Sequence, residues 1–171
     1  SIAIPVVCGT TGWLENFKKV TDFTVKNKTA FLYASNFSIG VNLFFKLNEQ
    51  LVKMMNNQSD YKVSIEEIHH IHKLDAPSGT AITLAEGIIE NSESSDWSLS
   101  ADKSDEILID AIREGEVPGK HTITYESSID TISIKHEAHN REGFALGAVV
   151  AAEWIVGKKG IFKMTDILNL Y

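Results

Sequence analysis

The stretch Glu66 to Gly87 reads EEIHHIHKLDAPSGTAITLAEG, and it gathers His69, His70, His72 and Lys73 before opening a helix within a few residues. Imidazole holds or releases a proton near neutral pH, so the cluster offers acid/base chemistry. Pro77 bars the residue before it from helix and fixes its own φ, which turns the chain and leaves Ser78 as a natural cap. The amides of Ser78, Gly79 and Thr80 are then expected to face outward at the positive end of a helix dipole, an anion site with Lys73 a few residues upstream. The dipole contributes about 0.3–1 kcal/mol to a bound carboxylate and each charge-assisted hydrogen bond about 1.5–3 kcal/mol, enough together to orient a small dianion. Two other readings stand beside this one. The cluster is a solvated strand end with Ser78 only a cap, or His70 and His72, on one side of an extended strand, hold zinc. Zinc finds no third ligand at an obvious spacing and Lys73 repels a cation, so no metal is expected.

The rest of the composition narrows what such a cluster serves. The 171 residues are 43% hydrophobic and carry a formal charge of -7, which fits a globular chain with a proper core and argues against nucleic acid or anionic membranes as partners. An anionic ligand then needs a local positive cluster such as this one. Cys8 is the only cysteine, so an internal disulfide is excluded; a buried free thiol in a reducing cytoplasm is expected. The longest mostly apolar run, Gly143 to Gly157, is shorter than a bilayer span and contains Glu153, so no membrane helix is expected. The opening SIAIPVVCGTTGW has no basic signal-peptide start and enters directly as a strand, as a chain does that begins in the middle of a domain.

The elements that position the cluster follow from periodicity. Ile2 to Val7 predicts a parallel strand buried on both faces, Leu14 to Lys26 a loose helix, and Thr29 to Ala34 a second strand, which together make a βαβ unit. GTTG, Gly9 to Gly12, is a turn whose backbone can approach a phosphate or nicotinamide, though no G-x-G-x-x-G occurs in the chain. From Gly40, the stripe Val41, Phe44, Phe45, Leu51, Val52 and Met55 predicts an amphipathic helix. An alternating strand through Tyr61, Val63 and Ile65 leads into the histidines, and Thr80 to Ile89 is helical with Ala81, Leu84, Ala85, Ile88 and Ile89 on one face. The serine-rich stretch 91–105 is expected to be a mobile loop, and Ile107 to Ile112 is a short apolar run. His121 to Glu126 and Thr131 to Ala138 predict an antiparallel hairpin, and Asn140 caps a last helix.

Taken together, these segments resemble the dihydrodipicolinate reductase family. IHHIHKLDAPSGTA is similar to the family signature, and VVCGTTGW, ASNFSIGVN, REGEVPGKH and HEAHNREGFALGA stand in the family's order over nearly the whole chain. The resemblance implies a hydride transfer from NADH or NADPH to a cyclic dicarboxylate imine in the diaminopimelate route to lysine, with loss of a hydroxyl and delivery of a proton. It implies His69 as the acid/base residue and Lys73 as proton donor, with His70, Lys73, Ser78, Gly79 and Thr80 around the substrate carboxylates. Gly9, Thr10, Thr11, Ala34, Ser35, Asn36 and Phe37 match the nicotinamide side, joined by Arg141 and Phe144, whose plainer readings are a salt-bridged arginine and a core phenylalanine. No role is implied for His121, His136 or His139.

The implied fold class is α/β and α+β. The C-terminal part of a Rossmann-like nucleotide-binding domain (1–37) is followed by an α+β substrate and tetramerisation domain (38–140) with a mainly antiparallel sheet. A segment (141–171) then returns to the first domain. The family's pyrophosphate fingerprint is absent from this chain, so the expectation is a back portion of the enzyme, inactive alone, that assembles as a homotetramer. The rival readings are a non-catalytic dicarboxylate-binding or tetramerisation module, and a reductase of another carboxylated imine.

Overall fold

A computed structural model describes residues 3–10, 12–100 and 103–170 and divides the chain into two compact units. The first joins two stretches of chain, Ser1–Asn42 and Glu142–Tyr171, and the second is Leu43–Arg141. The sequence reading sets its boundaries at 37/38 and 140/141.

In the first unit, strand β1 (Val6–Cys8), a 3-10 turn (Leu14–Asn16), helix α1 (Phe17–Lys26) and strand β2 (Ala30–Tyr33) form the expected βαβ unit. β1 runs parallel to β2, with Val6 opposite Phe31 and Cys8 opposite Tyr33. The expectation that β1 is buried on both faces fails. Among the described residues β2 alone pairs with it, so it is the edge strand of a three-stranded sheet, with Val6 48% exposed and Cys8 only partly buried. On the other side of β2 lies strand β8 (Gly160–Phe162), also parallel, preceded by helix α4 (Glu142–Trp154) and followed by helix α5 (Met164–Leu168). Ala30, Leu32, Ala34 and Phe37 pack against Ala151, Ile155 and Met164 to make this core. A Cβ added at Gly147 would overlap the Phe37 carbonyl, so α4 comes as close to the segment after β2 as only glycine permits.

Helix α2 (Ile39–Met55) contains the boundary between the units, and its buried stripe is Val41, Phe44, Asn48, Val52 and Met55. Spacings of three and four place these on one face. Asn48 fits because its Nδ2–H donates to the Leu84 carbonyl at 3.0 Å.

The second unit is a five-stranded sheet in the order β4-β5-β3-β6-β7, comprising β3 (Lys62–His69), β4 (Asp96–Ser98), β5 (Glu106–Arg113), β6 (Lys120–Glu126) and β7 (Thr131–Glu137). β6 and β7 form the expected antiparallel hairpin. The sheet is mixed rather than mainly antiparallel, since β5 runs parallel to both β3 and β4 while β6 is antiparallel to β3. Helix α3 (Gly79–Ile89) is the reason: it carries the chain over the sheet after β3, and a helical crossover returns the next strands in parallel. Ala81, Leu84, Ala85 and Ile88 of α3 cover Ile65, Ile107, Ile109 and Ile123 in the core. The stretch 91–105 departs from the mobile-loop expectation, because β4 lies within it, Trp97 packs on the core, and Ser95 Oγ donates to Asp105 at 2.6 Å. Among the described residues, no helix is long and apolar enough to cross a membrane.

Candidate active site

Strand register assembles the site. Along β3, Ile65, Glu67 and His69 share a face by the two-residue period, and β3 is the central strand with a neighbour on each side. Glu67 stands opposite His121 of β6, and His69 opposite Arg113 of β5, so two histidines, a carboxylate and a guanidinium converge on one face. Glu67 is 0% exposed. Its Oε1 accepts the Ser78 N–H at 3.0 Å and Arg113 Nη2 at 3.1 Å, while its Oε2 lies 3.3 Å from His69 Nδ1 and 3.7 Å from His121 Nε2. Burial alone would raise this carboxyl, but the hydrogen-bonding groups of His121, His69 and Ser78 outweigh it and hold Glu67 far below the usual carboxylate range.

β3 ends at His69, and the chain turns, with the Lys73 N–H donating to the His70 carbonyl at 3.1 Å. His70 Nε2 meets Arg141 Nη2 at 2.9 Å, whereas His72 lies outward and pairs with Glu116 at 3.1 Å. Lys73 Nζ, on a side chain only 20% exposed, donates to both carboxylate oxygens of Asp75 at 2.8 Å. That pair holds the Asp75 carboxyl below its ordinary value. Pro77, in cis linkage to Ala76, delivers Ser78 as the cap of α3, where Ser78 Oγ accepts the Ala81 N–H and contacts His121 Nε2, both at 3.2 Å.

The outward anion cradle expected from Ser78, Gly79 and Thr80 is therefore altered at its first position. Ser78 is 2% exposed and its amide is turned inward to Glu67, because the buried carboxylate needs that donor. Gly79 is exposed, with nothing within 4 Å of where a Cβ would sit, and Thr80 is half-buried. Ser78→Ala removes the cap and the partner of His121, and a stability loss of about 1–2 kcal/mol is expected in chemical denaturation. No loss would show that the Glu67 contact alone fixes the turn.

The residues matched to the nicotinamide side divide between the units. Gly9 and Thr10 follow β1, and Ala34, Ser35, Asn36 and Phe37 follow β2, so two loops meet at the carboxyl ends of adjacent parallel strands. Thr11 lies outside the described residues. A Cβ at Gly9 would come 2.9 Å from the Phe37 ring, and the Thr10 carbonyl accepts the Trp13 indole N–H at 2.6 Å. Asn36 Oδ1 accepts the Ser38 N–H at 2.9 Å. Phe144 is half-buried on α4, and Arg141 is placed against His70 in the second unit.

The family model described as dihydrodipicolinate reductase, C-terminus, matches residues 40–168. The chain belongs to this family. A 4-hydroxy-tetrahydrodipicolinate reductase from Christiangramia forsetii is 60% identical over 98% of this chain and 70% of its own length. One from Methanosarcina acetivorans is 40% identical over 98% of this chain and 65% of its own. A solved dipicolinate-bound dihydrodipicolinate reductase from a Paenisporosarcina species superposes with a TM-score of 0.74 at 27% identity, covering 94% of this chain and 63% of that one. The chain thus spans about two thirds of the length of these relatives.

Within this dihydrodipicolinate reductase fold, the members of the cluster that sequence reasoning did not single out are Glu67, Asp75, Arg113 and His121. Glu67 sits next to Glu66 and reads as half of a solvated acidic pair; only its parity with Ile65 and His69 signals that it faces inward. Arg113 and His121 lie more than forty residues away in sequence, and only strand register brings them near. The expectation of no metal meets a cluster in which ligand-type atoms of Glu67, His69 and His121 lie within 4.8 Å of one another. Arg113 already balances the carboxylate's charge, which removes the main attraction for a cation.

Burial pushes His121 and His136 below the ordinary histidine value, and desolvation followed by the Arg141 charge does the same to His70. All three therefore take up a proton less readily in the folded chain than in the unfolded chain, where histidine does so at about 6.5. Their contribution is therefore complete above about pH 6.5 and declines as pH falls below it. The melting temperature is expected to be lower at pH 5 than at pH 8; a flat profile would contradict the downward shifts of these histidines.

Proposed function

We propose that this chain binds a cyclic dicarboxylate imine at the turn opening α3 and supplies proton chemistry for its reduction, as the substrate-binding part of an NAD(P)H-dependent 4-hydroxy-tetrahydrodipicolinate reductase. The observation that carries this reading is the buried His69 imidazole beside Glu67, in the same short segment that delivers Lys73 and the exposed start of α3. The Paenisporosarcina relative, solved with dipicolinate, supports a six-membered ring bearing two carboxylates as the ligand. Residues 38–140 form the substrate part of this proposal, and 1–37 with 141–171 the nucleotide part.

Lys73 balances the two carboxylates with His70 beside it, the backbone of Gly79 and Thr80 receives one of them, and Ser78 holds the turn. Lys73 leaves Asp75 for the substrate and acts as proton donor, while His69 serves as the acid/base group. Over the reaction the ring loses its hydroxyl as water and gains a hydride and a proton. Gly9 and Thr10, with Ala34, Ser35, Asn36 and Phe37, fit a nicotinamide nucleotide, because they lie at the carboxyl ends of parallel strands where open α/β sheets bind such ligands. By resemblance, Thr11, Arg141 and Phe144 are assigned to the same side. NADH or NADPH, when bound there, supplies the hydride.

The net charge and the lack of a long apolar helix among the described residues favour a cytoplasmic protein that meets neither nucleic acid nor membrane. β7 forms an outer edge of the sheet with Ile132 exposed, which supports self-association as a homotetramer. The test is nicotinamide oxidation by the full-length protein with the imine substrate, together with dipicolinate as competitor and the mass of the assembly in solution. Turnover inhibited by dipicolinate is expected. No turnover leaves only a binding module, turnover without competition points to another carboxylated imine, and a clean monomer removes the tetramer.

A further inference from the structure

Glu67 has one oxygen fully engaged and one facing a histidine. Oε1 takes two donors, the Ser78 amide and Arg113 Nη2. Oε2 is buried without a hydrogen-bond partner among the described residues, and so is His69 Nδ1, 3.3 Å away. Two orphaned buried polar atoms at that separation are each other's natural partner, and a shift of a few tenths of an ångström with a small ring rotation makes the bond. His121 Nε2 is farther from Oε2, at 3.7 Å, and has Ser78 Oγ at 3.2 Å.

The opposite edge of the His69 ring has different surroundings. A Cβ added at Gly119 would stand 3.2 Å from His69 Nε2, so the missing side chain at 119 relieves that edge. The ring therefore has an anchored nitrogen and a relieved one.

We propose that Glu67 is a positioning residue whose Oε2 holds the Nδ1–H of His69, fixing the tautomer so that Nε2 is the nitrogen that exchanges a proton with substrate. This rests on the reading of His69 as the acid/base group. A carboxylate can only accept, so it selects the Nδ1–H form; an amide in its place need not. In Glu67→Gln the Ser78 amide and Arg113, both donors, keep the side-chain oxygen at the Oε1 position. The introduced NH2 must then face His69 Nδ1, which becomes an acceptor, and the proton moves to Nε2. A triad aspartate replaced by asparagine loses about 10⁴ in kcat through this kind of tautomer error.

The test reads the tautomer directly, by long-range proton–nitrogen correlation of the chain labelled with 15N-histidine at pH 8. His69 should carry its proton on Nδ1 in the wild type and on Nε2 in Glu67→Gln. In the full-length protein, Glu67→Gln should lower kcat by roughly 10²–10³ with KM little changed, and Glu67→Asp, which keeps the charge, should recover part of the loss. A wild-type His69 protonated on Nε2, or a tautomer unmoved by Glu67→Gln, overturns the proposal. If Glu67→Gln does not fold, the wild-type spectrum still decides. Because the spectrum needs no substrate, a protein with the expected tautomer but no turnover would sink the reductase reading alone.

Discussion

Glu67→Leu is expected to destabilise the protein by roughly 3–5 kcal/mol, the range for removing one partner of a buried ion pair. The wild-type carboxylate receives the Ser78 amide and Arg113 and stands beside two buried imidazoles. Leucine fills a similar volume, so cavity formation is a minor part of the loss. What remains is a guanidinium, its side chain only 20% exposed, that keeps the Ile112 and Asp75 carbonyls but has lost its charged partner, and a buried backbone N–H without its acceptor. A loss of this size lowers the melting temperature by about 6–20 °C in a chain of this length. Glu67→Gln keeps the Oε1 acceptor and should lose markedly less. Equal losses for the two variants, or less than 1 kcal/mol for leucine, would show that the Ile112 and Asp75 carbonyls suffice for Arg113 and that the carboxylate does not organise the site.

Lys73→Ala in the full-length protein is expected to lower turnover by roughly 10²–10⁴, the range for a positioned proton donor, while leaving stability nearly unchanged. The contrast with Glu67 is one of exposure. Asp75, the partner of Lys73, has a side chain 60% exposed, and water replaces the lysine at small cost. Lys73→Arg separates charge from proton delivery: a guanidinium still attracts the carboxylates but does not release its proton near neutrality, so substrate binding should recover more than kcat. A rate unaltered in Lys73→Ala would remove this residue from the chemistry.

Legibility in the sequence followed the range of the interactions that determine each element. α2 and α3 were readable because their apolar spacing is local, and the cap at Ser78 because Pro77 precedes it. β4 was not, since three residues inside a serine-rich stretch are held as a strand only by pairing with β5. The parallel half of the sheet was hidden for a similar reason: strand direction depends on where α3 returns the chain. At the site, the segment from His69 to Thr80 was readable as a cluster next to a helix start, yet the inward turn of the Ser78 amide depends on Glu67, whose burial no charge pattern announces. Arg141, grouped by resemblance with the nucleotide, is found against His70 because the turn after β3 brings the two together.

Phe37 sits between two glycines, Gly9 beside its ring and Gly147 against its carbonyl. Neither contact has slack. The loop after β1, the loop after β2 and the start of α4 are therefore geared to one another, and a ligand that displaces one of them must carry the other two along. Induced fit on that side of the molecule would take the form of a collective step, with little room for a single loop to adjust by itself.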